Sequence, residues 1–315
     1  MRGNLASVAR KRIAVANLPL IRPCGATFPT GEGFKETGSL IFFPHRFTLS
    51  PNYCKMLYKR MVYYACTAQR TAKITTGGVF MAIQYKRILL KVSGEALSGP
   101  KGTGFDEETI ASICAGIKAA HDLGAQIGIV VGGGNFWRGR SSGKMDRMDA
   151  DKIGMLATVM NALAVKDALR QQGVDAVVMT SSFMPQVAEC FTSDKAIAAL
   201  ESGKIVVFGG GTGNPIFSTD TASALRALEI GADAMFKATM VDGVYDKDPH
   251  KYADAVRYDT LTFTRVLDER LAVMDSTAAT LCRDNGLPIL VFDLGQPANI
   301  AKAVKGESVG TLVRE

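Results

Sequence analysis

The sequence predicts an α/β protein, a three-layer sandwich with a central, largely parallel β-sheet. Apolar strand-like runs alternate with amphipathic helical segments over residues 81–315, the order expected of β-α-β units. Several of these runs are apolar at almost every position, as in strands that helices cover on both faces. Neither a linker nor an internal repeat divides the region, so we expect a single domain there.

The first half of this region predicts three strands and two helices. Apolar, partly β-branched runs predict the strands at 87–92, 126–131 and 176–179. The first helix opens at Asp106 and closes at Gly124, with one apolar face formed by Ile110, Ile113, Cys114 and Ile117. The second helix spans 149–172, and its buried side consists of Met155, Val159, Leu163 and Leu169.

The second half continues the same alternation. Helices are predicted at 193–202, 276–285 and 297–304, and a further helix opens at Thr219 and Asp220. The apolar positions of that further helix are Ala222, Leu225, Leu228 and Ile230. Strands are predicted from Ile205, at 232–236 and 288–292, and at Thr311.

Residues 1–80 differ from the rest in composition. They contain twelve Lys and Arg, but their only acidic residues are Glu32 and Glu36, and they show no helical or strand period. We expect a basic, unstructured extension, either a transit peptide or the product of a start codon set too far upstream of Met81. Gly77 and Gly78 are encoded by GGN codons, which places a purine-rich stretch just before the Met81 codon. A bacterial ribosome-binding site would lie at this position. A folded extension and a nucleic-acid-binding role of this segment stay open.

Charge and cysteine usage restrict the class of protein. Without residues 1–80 the chain is mildly acidic, so its basic pI does not indicate a nucleic-acid-binding domain. The six cysteines have neither paired nor metal-ligand spacing, which is typical of a reducing cytosol. No apolar run approaches the roughly 20 residues of a membrane helix. The expected location is cytoplasmic, or a plastid or other organelle if residues 1–80 are a transit peptide.

Glycine-rich loops follow three of the predicted strands. They are Lys91–Gly94, Gly132–Asn135 and Gly209–Gly213. Ligands of open α/β sheets lie outside the carboxyl ends of the strands, so these loops should converge. Backbone N–H groups and a helix N-terminus in such loops suit phosphate, which predicts one ligand with several phosphates or two phosphorylated ligands. The patterns of P-loop NTPases and of dinucleotide-binding oxidoreductases are absent.

Three side chains near these loops are candidate ligands. Lys91 ends an apolar strand, where a buried ammonium needs an anionic partner such as phosphate. Arg138 follows the second loop, and a guanidinium suits two phosphoryl oxygens, although a surface arginine needs no such role. Asp151 lies near the start of the predicted long helix, where an acidic residue is also ordinary first-turn chemistry.

No dedicated metal site is predicted. Asp242, Asp246 and Asp248 are spaced like a metal cluster, but Asp-Gly and Asp-Pro are equally common in turns, and the EF-hand pattern is not matched. The three histidines, His45, His121 and His250, are isolated in the sequence, which argues against a catalytic histidine triad.

Taken together, these motifs resemble the bacterial uridylate (UMP) kinases of the amino acid kinase superfamily. The resemblance covers residues 83–315. Its general motifs are the lysine-serine-glycine and triple-glycine loops, and its more particular ones are Gly154-Met-Leu-Ala-Thr158 and Thr212-Gly-Asn-Pro-Ile-Phe217. It implies the amino acid kinase fold and transfer of the ATP γ-phosphoryl group to UMP, with Mg²⁺ bound to ATP. It also implies a homohexamer with GTP and UTP as effectors, and neither a nucleic-acid nor a membrane partner.

The resemblance also implies roles for individual positions. Catalytic positions would be Lys91, Arg138, Asp220 and Lys237. ATP would contact Lys91, Val92, Ser93, Gly94, Gly134, Arg138, Thr239, Tyr245 and Asp248. UMP would contact Gly133, Asp151, Thr212, Gly213, Asn214, Pro215, Ile216, Phe217, Ser218 and Thr219. The loop tied to activation by GTP would consist of Gly99, Pro100, Lys101, Gly102, Thr103 and Gly104.

Two departures from the family pattern and two alternative functions accompany this prediction. Met240 stands where the family usually has lysine, and the stretch 149–153 differs from its commoner versions. One alternative is a carboxylate or carbamate kinase of the same fold, in which the Thr212–Thr219 segment and Asp151 would have no ribose or base to bind. The other is a non-enzymatic ATP-binding protein that stores molybdate or tungstate.

Overall fold

The computed structural model describes residues 83–137, 143–249, 251–271 and 273–315. The predictions for residues 1–80, Met81 and Arg138 lie outside these residues. The strands are β1 Arg87–Val92, β2 Gln126–Val131, β3 Ala176–Thr180, β4 Glu189–Cys190, β5 Ile205–Gly209, β6 Ala234–Thr239, β7 Val244–Tyr245, β8 Arg257–Tyr258, β9 Thr260–Leu261, β10 Ile289–Asp293 and β11 Gly310–Val313. A 3₁₀ segment, Gly94–Lys101, follows β1.

The helices begin at side chains that satisfy their first free N–H groups. Their bounds are α1 Glu107–Asp122, α2 Arg147–Gln171, α3 Ser193–Glu201, α4 Thr219–Glu229, α5 Phe263–Asp268, α6 Ser276–Asp284 and α7 Ala298–Val304. For the first six, the side chain before the helix accepts a backbone hydrogen bond, as an N-cap does; these residues are Asp106, Asp146, Thr192, Ser218, Thr262 and Asp275. Helix bounds therefore follow local capping chemistry.

Within the described residues, nine strands form one sheet in the order β4-β3-β5-β2-β1-β6-β10-β11-β9. Every neighbouring pair is parallel except β10 and β11, so β11 and β9 run against the other seven strands. β7 and β8 form a separate antiparallel ribbon. Because β1 lies between β2 and β6, the carboxyl ends of these three strands meet at the centre of one sheet edge.

Helices cover both faces of this sheet. Alternate residues of β1 show the division: Ile88 and Leu90 belong to the core beneath α1, α2 and α7, whereas Leu89 belongs to the core beneath α3, α4, α5 and α6. Ile117 and Phe236 are fully buried in the first core, and Phe263 is 1% exposed in the second. This arrangement confirms the predicted α/β sandwich with a largely parallel sheet. No helix in the described parts of the chain has both the length and the apolarity to cross a bilayer.

Two predicted bounds near the site were wrong, and one segment has a conformation that was not expected. Helix α2 begins at Arg147, two residues before the predicted start, because Asp146 caps it. Strand β6 extends through Lys237 to Thr239, beyond the predicted end at Phe236, because it pairs with β1 as far as Ala238 and with β10 as far as Thr239. The segment after β1 begins as a 3₁₀ turn where a loop was expected, and the short elements β4, β7, β8, β9 and α5 were not predicted.

Candidate active site

Two of the predicted glycine loops are in direct backbone contact at the sheet edge. A Cβ atom added to Gly94 would lie 2.3 Å from the carbonyl oxygen of Gly132 and 2.8 Å from the nitrogen of Gly134. The N–H of Gly132 also donates to the carbonyl of Val92 at 3.0 Å. Glycine is therefore required at position 94 for space, and the predicted convergence of the β1 and β2 loops is confirmed.

A buried pair of asparagines holds the second loop in place. Asn161 of α2 donates to the carbonyl of Gly132 at 2.5 Å and to Oδ1 of Asn135 at 2.7 Å. Asn135 donates to Oδ1 of Asn161 at 3.0 Å and to the carbonyl of Gly104 at 2.8 Å. Both side chains are almost fully buried and use both amide N–H groups. This network ties α2, the β2 loop and the Gly99–Gly104 loop together.

Helix α2 also contacts the third glycine loop. Oγ1 of Thr158 accepts the N–H of Gly210 at 2.8 Å. Gly210, Gly211 and Gly213 all have positive φ, between 60° and 89°, which favours glycine at each of these positions. The β5 loop therefore turns sharply towards α2 before α4 begins.

A charged cluster of Lys91, Asp220 and Lys237 lies at the same edge. Lys91 and Lys237 are register partners on β1 and β6. Nζ of Lys91 is 3.2 Å from Oδ1 of Asp220, and Nζ of Lys237 is 2.7 Å from Oδ2 of the same carboxylate. Lys237 also donates to the carbonyl of Val273. The anionic partner expected for the strand-end lysine is therefore supplied, within the protein, by Asp220 in the first turn of α4.

The cluster shifts the pKa of two of its members. Burial raises the pKa of the Asp220 carboxyl, but Lys91 and Lys237 together outweigh it, and the net pKa lies below 3.8. Burial lowers the pKa of Lys237, and the charge of Lys91 adds to this effect, whereas Asp220 opposes it. The two ammonium groups share the Asp220 carboxylate, and the charge of Asp275 also acts to raise the pKa of Lys237.

A cavity of about 360 Å³ adjoins this cluster. It lies between the β2 loop, the start of α2 and the segment from the β5 loop to α4. Its lining includes nine of the ten positions predicted to contact UMP: Gly133, Asp151, Thr212, Asn214, Pro215, Ile216, Phe217, Ser218 and Thr219. Asp220 also lines it, so the cavity reaches the charged cluster. A volume of this size is typical of small-molecule sites.

Comparison with known proteins places the chain in a family. The amino acid kinase family matches residues 86–293. The chain belongs to the amino acid kinase family. A UMP kinase structure from Bacillus anthracis is 38% identical, has a TM-score of 0.71, and the match covers 73% of this chain and 96% of that chain. The UMP kinase of Ureaplasma parvum is 33% identical with a TM-score of 0.70, and the match covers 74% of this chain and 100% of that chain. The uridylate kinase of Archaeoglobus fulgidus is 30% identical with a TM-score of 0.57, and the match covers 72% of this chain and 99% of that chain.

The side chain of Asp151 has two hydrogen-bond partners within the protein. Its Oδ2 accepts the backbone N–H of Ile216 at 2.8 Å and Nε of Arg147 at 2.8 Å. Because α2 begins at Arg147, Asp151 lies in the second turn of the helix, and the first-turn interpretation of this acid was wrong. Its side chain is 16% exposed. Asp151 thus connects α2 with the loop on the opposite wall of the cavity.

Ser218 and Asp275 join two helix N-termini beside the cavity. Ser218 caps α4 through the N–H of Thr221 at 3.1 Å and donates to Asp275. Asp275 caps α6 through the N–H of Ala278 at 2.9 Å and accepts Oγ1 of Thr221 at 3.0 Å. The start of α4, which carries Asp220, is therefore fixed from two sides.

The predicted ATP side lies along β6 and the β7–β8 ribbon. Thr239 ends β6, and its Oγ1 accepts the N–H of Val241 at 3.0 Å. The hydroxyl of Tyr245 donates to Asp242 at 2.7 Å, and that hydrogen bond raises the pKa of Tyr245. Asp248 pairs with Lys251 at 3.3 Å, and the side chain of Met240 is 70% exposed. These residues do not line the 360 Å³ cavity, whereas Gly134, which is also predicted to contact ATP, does line it.

The carboxylates that resembled a metal cluster have protein partners. Asp242 pairs with Arg257 at 2.9 Å, and Oδ1 of Asp246 accepts the N–H of Val256 at 2.8 Å. In the described residues no three His, Cys, Asp or Glu side chains are grouped to hold a metal. These aspartates stabilise the connection around the β7–β8 ribbon, in line with the turn interpretation.

Several residues of the cavity wall were not singled out as ligands from the sequence. They are Trp137, Arg147, Ala150, Gly154, Met155, Thr158, Gly211 and Asp275. Arg147 could have been found from its i,i+4 spacing to Asp151. No local signal could have placed Asp275 here, because its contacts with Ser218 and Thr221 span more than 50 residues. Conversely Gly213, although predicted, is not part of the lining.

Proposed function

We propose that this chain transfers the γ-phosphoryl group of ATP to UMP and forms UDP and ADP. The observation that carries the proposal is the continuity between the charged cluster and the cavity: Asp220 pairs with both lysines and also lines the cavity. A nucleoside monophosphate in this cavity would present its phosphate to Lys91 and Lys237. Likeness to three solved UMP or uridylate kinases, at 30–38% identity, supports UMP as the acceptor.

The proposed reaction needs positioning and positive charge more than covalent chemistry. A phosphate oxygen of UMP attacks the γ-phosphorus, the bond from that phosphorus to the β–γ bridging oxygen breaks, and ADP leaves with the electron pair. The acceptor is already an anionic oxygen, so a general base is not required. Lys91 and Lys237 neutralise charge on the transferring group, and the N–H groups of the Gly94 and Gly132–Gly134 loops hold it in line.

Magnesium is proposed to enter as the Mg-ATP substrate. Asp220 is flanked by two ammonium groups, which makes it a poor ligand for a dication by itself. Mg²⁺ on the phosphates of ATP would neutralise part of their charge. The proposed donor side for ATP is formed by Lys91–Gly94, Gly134 and the side chains Thr239, Tyr245 and Asp248, with Arg138 outside the described residues.

The direct test is a survey of acceptors with the purified chain. UMP, CMP, dUMP, aspartate, glutamate, acetylglutamate and carbamate would each be incubated with Mg-ATP, and ADP and the phosphorylated product would be quantified. We expect UMP to have the highest kcat/KM. A higher rate with a carboxylate or carbamate would overturn the proposal, as would molybdenum or tungsten in the purified protein without kinase activity. Nothing in the site favours those alternatives.

We also propose that Asp151 contributes to recognition of the UMP ribose. An ionised carboxylate only accepts hydrogen bonds, which suits ribose hydroxyls and opposes phosphate. Loss of a substrate hydroxyl leaves such a group unpaired, so the wild type should favour UMP strongly over dUMP. Asp151→Asn should narrow the ratio of the two kcat/KM values by about an order of magnitude. If both proteins give the same ratio, Asp151 has no role in selecting ribose.

The proposal extends to the regulation, the oligomeric state and the cellular location of the protein. We propose a cytoplasmic homohexamer in which GTP and UTP act as effectors, with the Gly99–Gly104 loop involved in the response to GTP. This loop is bonded to Asn135 through Thr103 Oγ1 at 2.9 Å and the N–H of Gly104 at 3.1 Å, and so lies next to the β2 loop. Sedimentation equilibrium tests the assembly, and initial rates with each nucleotide test the effectors. A monomer insensitive to both would contradict this part alone.

A further inference from the structure

The cavity wall contains a residue in an unfavourable backbone conformation. Ile216 has a φ of +79°, and among the described residues that are not glycine only Arg270 also has a positive φ. A β-branched residue is rarely found in this region, because its Cβ crowds the backbone. The side chain of Ile216 is 59% exposed, so burial of its apolar surface does not account for the conformation. Backbone strain of this kind persists only where surrounding contacts hold it.

The contact that holds Ile216 comes from Asp151. Oδ2 of Asp151 accepts the N–H of Ile216 at 2.8 Å, across 65 residues of sequence. Arg147 donates to the same oxygen at 2.8 Å, and this orients the carboxylate on α2. Hydrogen bonds from backbone N–H groups to a carboxylate are stronger than those between neutral groups. The bond therefore fastens the loop to the opposite wall of the cavity at its most strained residue.

Because Ile216 lies in the middle of the loop, its hydrogen bond to Asp151 also positions the neighbouring residues of the cavity wall. Pro215 precedes it, and Phe217, Ser218 and Thr219 follow it along the cavity wall. Ser218 caps α4 and bonds to Asp275, so the downstream end of the loop is already fixed. Between Gly213 and Ser218, the hydrogen bond from the Ile216 N–H to Asp151 anchors the loop to α2, and this carboxylate therefore sets the path of the segment.

We propose that Asp151 is a positioning residue, which holds the 212–218 segment in the conformation that binds the acceptor nucleotide by fixing the backbone of Ile216. The inference rests on the proposed function for the identity of the nucleotide, but not for the bond itself. It differs from recognition of ribose, because it acts through the protein backbone and applies to UMP and dUMP alike. Glycine at position 216 would adopt the same φ without strain and would depend less on Asp151.

The first experiment needs no substrate. Amide hydrogen exchange of the 212–218 segment would be compared in the wild type, Asp151→Ala, Asp151→Asn and Asp149→Ala. Asp149 is the matched control, since it lies on the same helix but is exposed and pairs with Lys152. We expect exchange about tenfold faster than in the wild type in Asp151→Ala, because alanine removes the acceptor of the Ile216 N–H. The other two variants should exchange like the wild type, because the asparagine oxygen of Asp151→Asn can still accept this N–H and Asp149 does not contact it. Equal exchange in all four proteins would overturn the proposal.

The second experiment tests the strain directly through binding. Trp137 is the single tryptophan of the chain and lines the cavity, so its fluorescence reports binding of UMP and of dUMP. Asp151→Ala should raise the dissociation constants of UMP and of dUMP. Adding Ile216→Gly should then lower both constants again by about fivefold or more, because relief of this backbone strain is worth roughly that factor in affinity. Arg270→Gly is the matched control, because it relaxes a positive φ outside the cavity lining and should recover nothing.

The two failures can be told apart. If Ile216→Gly gives no recovery while the wild type binds and phosphorylates UMP, the positioning role is wrong and the proposed function stands. If the exchange result is as expected but UMP does not bind, the positioning role stands and the acceptor was misidentified. Circular dichroism of each variant shows whether it folds, and Asp151→Asn provides a folded comparison that keeps the acceptor oxygen.

Discussion

Lys91, Asp220 and Lys237 illustrate how single residues set the electrostatics of the site. Each of the three side chains is only 13–16% exposed, so none is well solvated. Removing Asp220 would leave the two buried ammonium groups without the carboxylate that they share, which is costly. The cluster therefore depends on Asp220, which lies between the two ammonium groups that the proposed acceptor phosphate would contact.

Replacing Lys91 with alanine should act mainly on the chemical step. One preorganised charge contact to a transferring group is typically worth about 3 kcal/mol, so Lys91→Ala should lower kcat by roughly 10²-fold or more. The KM for ATP should change less. Lys86→Ala is a suitable control, since Lys86 is exposed just before the amino end of β1, away from the sheet edge that carries the site. A near-normal kcat with a raised KM would make Lys91 a binding residue only.

The depressed pKa of Asp220 predicts a definite pH dependence of stability. A carboxyl group whose folded pKa lies below its unfolded value stabilises the protein above the unfolded pKa and ceases to do so as the pH falls through the folded one. The unfolding free energy of the wild type should therefore exceed that of Asp220→Asn by a constant amount above about pH 5. The difference should shrink as the pH falls below 3.8. Denaturant titrations at each pH measure it, and a difference that grows in acid would contradict the assignment.

At the scale of elements, the asparagine pair connects α2 with two loops. Asn161 lies on α2 and Asn135 lies after β2, and their amides also bond the carbonyls of Gly132 and Gly104. Buried networks of this kind are favourable only if every member is satisfied. The network therefore gives the β2 loop one defined position relative to the helix that carries Asp151.

Asn161→Leu should destabilise the protein, because it removes the hydrogen bonds between Asn161 and its buried partners. It leaves the carbonyl of Gly132, and one N–H and the Oδ1 of Asn135, buried without the hydrogen bonds that Asn161 made, at a cost of about 1–3 kcal/mol. For a domain of this size, each kcal/mol lowers Tm by roughly 2–4 °C. Asn285→Leu, at an exposed helix end, should cost much less. Adding Asn135→Leu should cost less than the sum of the single changes, because the pair shares its bonds. Additive losses would show that the two amides act independently.

At the scale of the whole molecule, the described fold begins beside its own carboxyl-terminal part. The N–H groups of Gln84 and Tyr85 donate to the carbonyl of Val304 at 2.9 and 3.2 Å, and β1 then enters the centre of the sheet. The family match begins at residue 86, and the solved relatives cover 72–74% of the chain. We propose that residues 81–315 are a single kinase domain and that residues 1–80 are dispensable to it.

A chain that begins at Met81 should fold and keep its activity. We expect its kcat/KM for UMP and its Tm to match those of the full chain, because the strands, the charged cluster and the cavity all lie within residues 83–315. Circular dichroism and initial rates would be measured on both proteins in the same buffer. Loss of folding, or a tenfold fall in kcat/KM on truncation, would show that residues 1–80 belong to the functional unit. Mass spectrometry of the native N-terminus would separate a transit peptide from an upstream start codon.

The sequence by itself determined the features that depend on local chemistry. Strand and helix alternate in the predicted order, because apolar periodicity and glycine punctuation act within about 15 residues. Ser218 and Asp106 begin helices where capping residues are expected. The glycine loops were predicted to bind phosphate, because their backbone N–H groups and a helix N-terminus suit an anion, and this stays a prediction. The family resemblance rested on the same motifs, which are short and contiguous.

Only the tertiary structure decided which distant residues meet. Lys91 lies beside Lys237 because β1 pairs with β6, and no local pattern specifies that order of strands. Asp151 fastens the backbone of Ile216, and Asp275 joins Ser218, through bonds that span 65 and 57 residues. The physical reason is that strand order and helix packing are set by burial of the two cores on either side of the sheet. A site assembled from several strand ends takes its geometry from that burial.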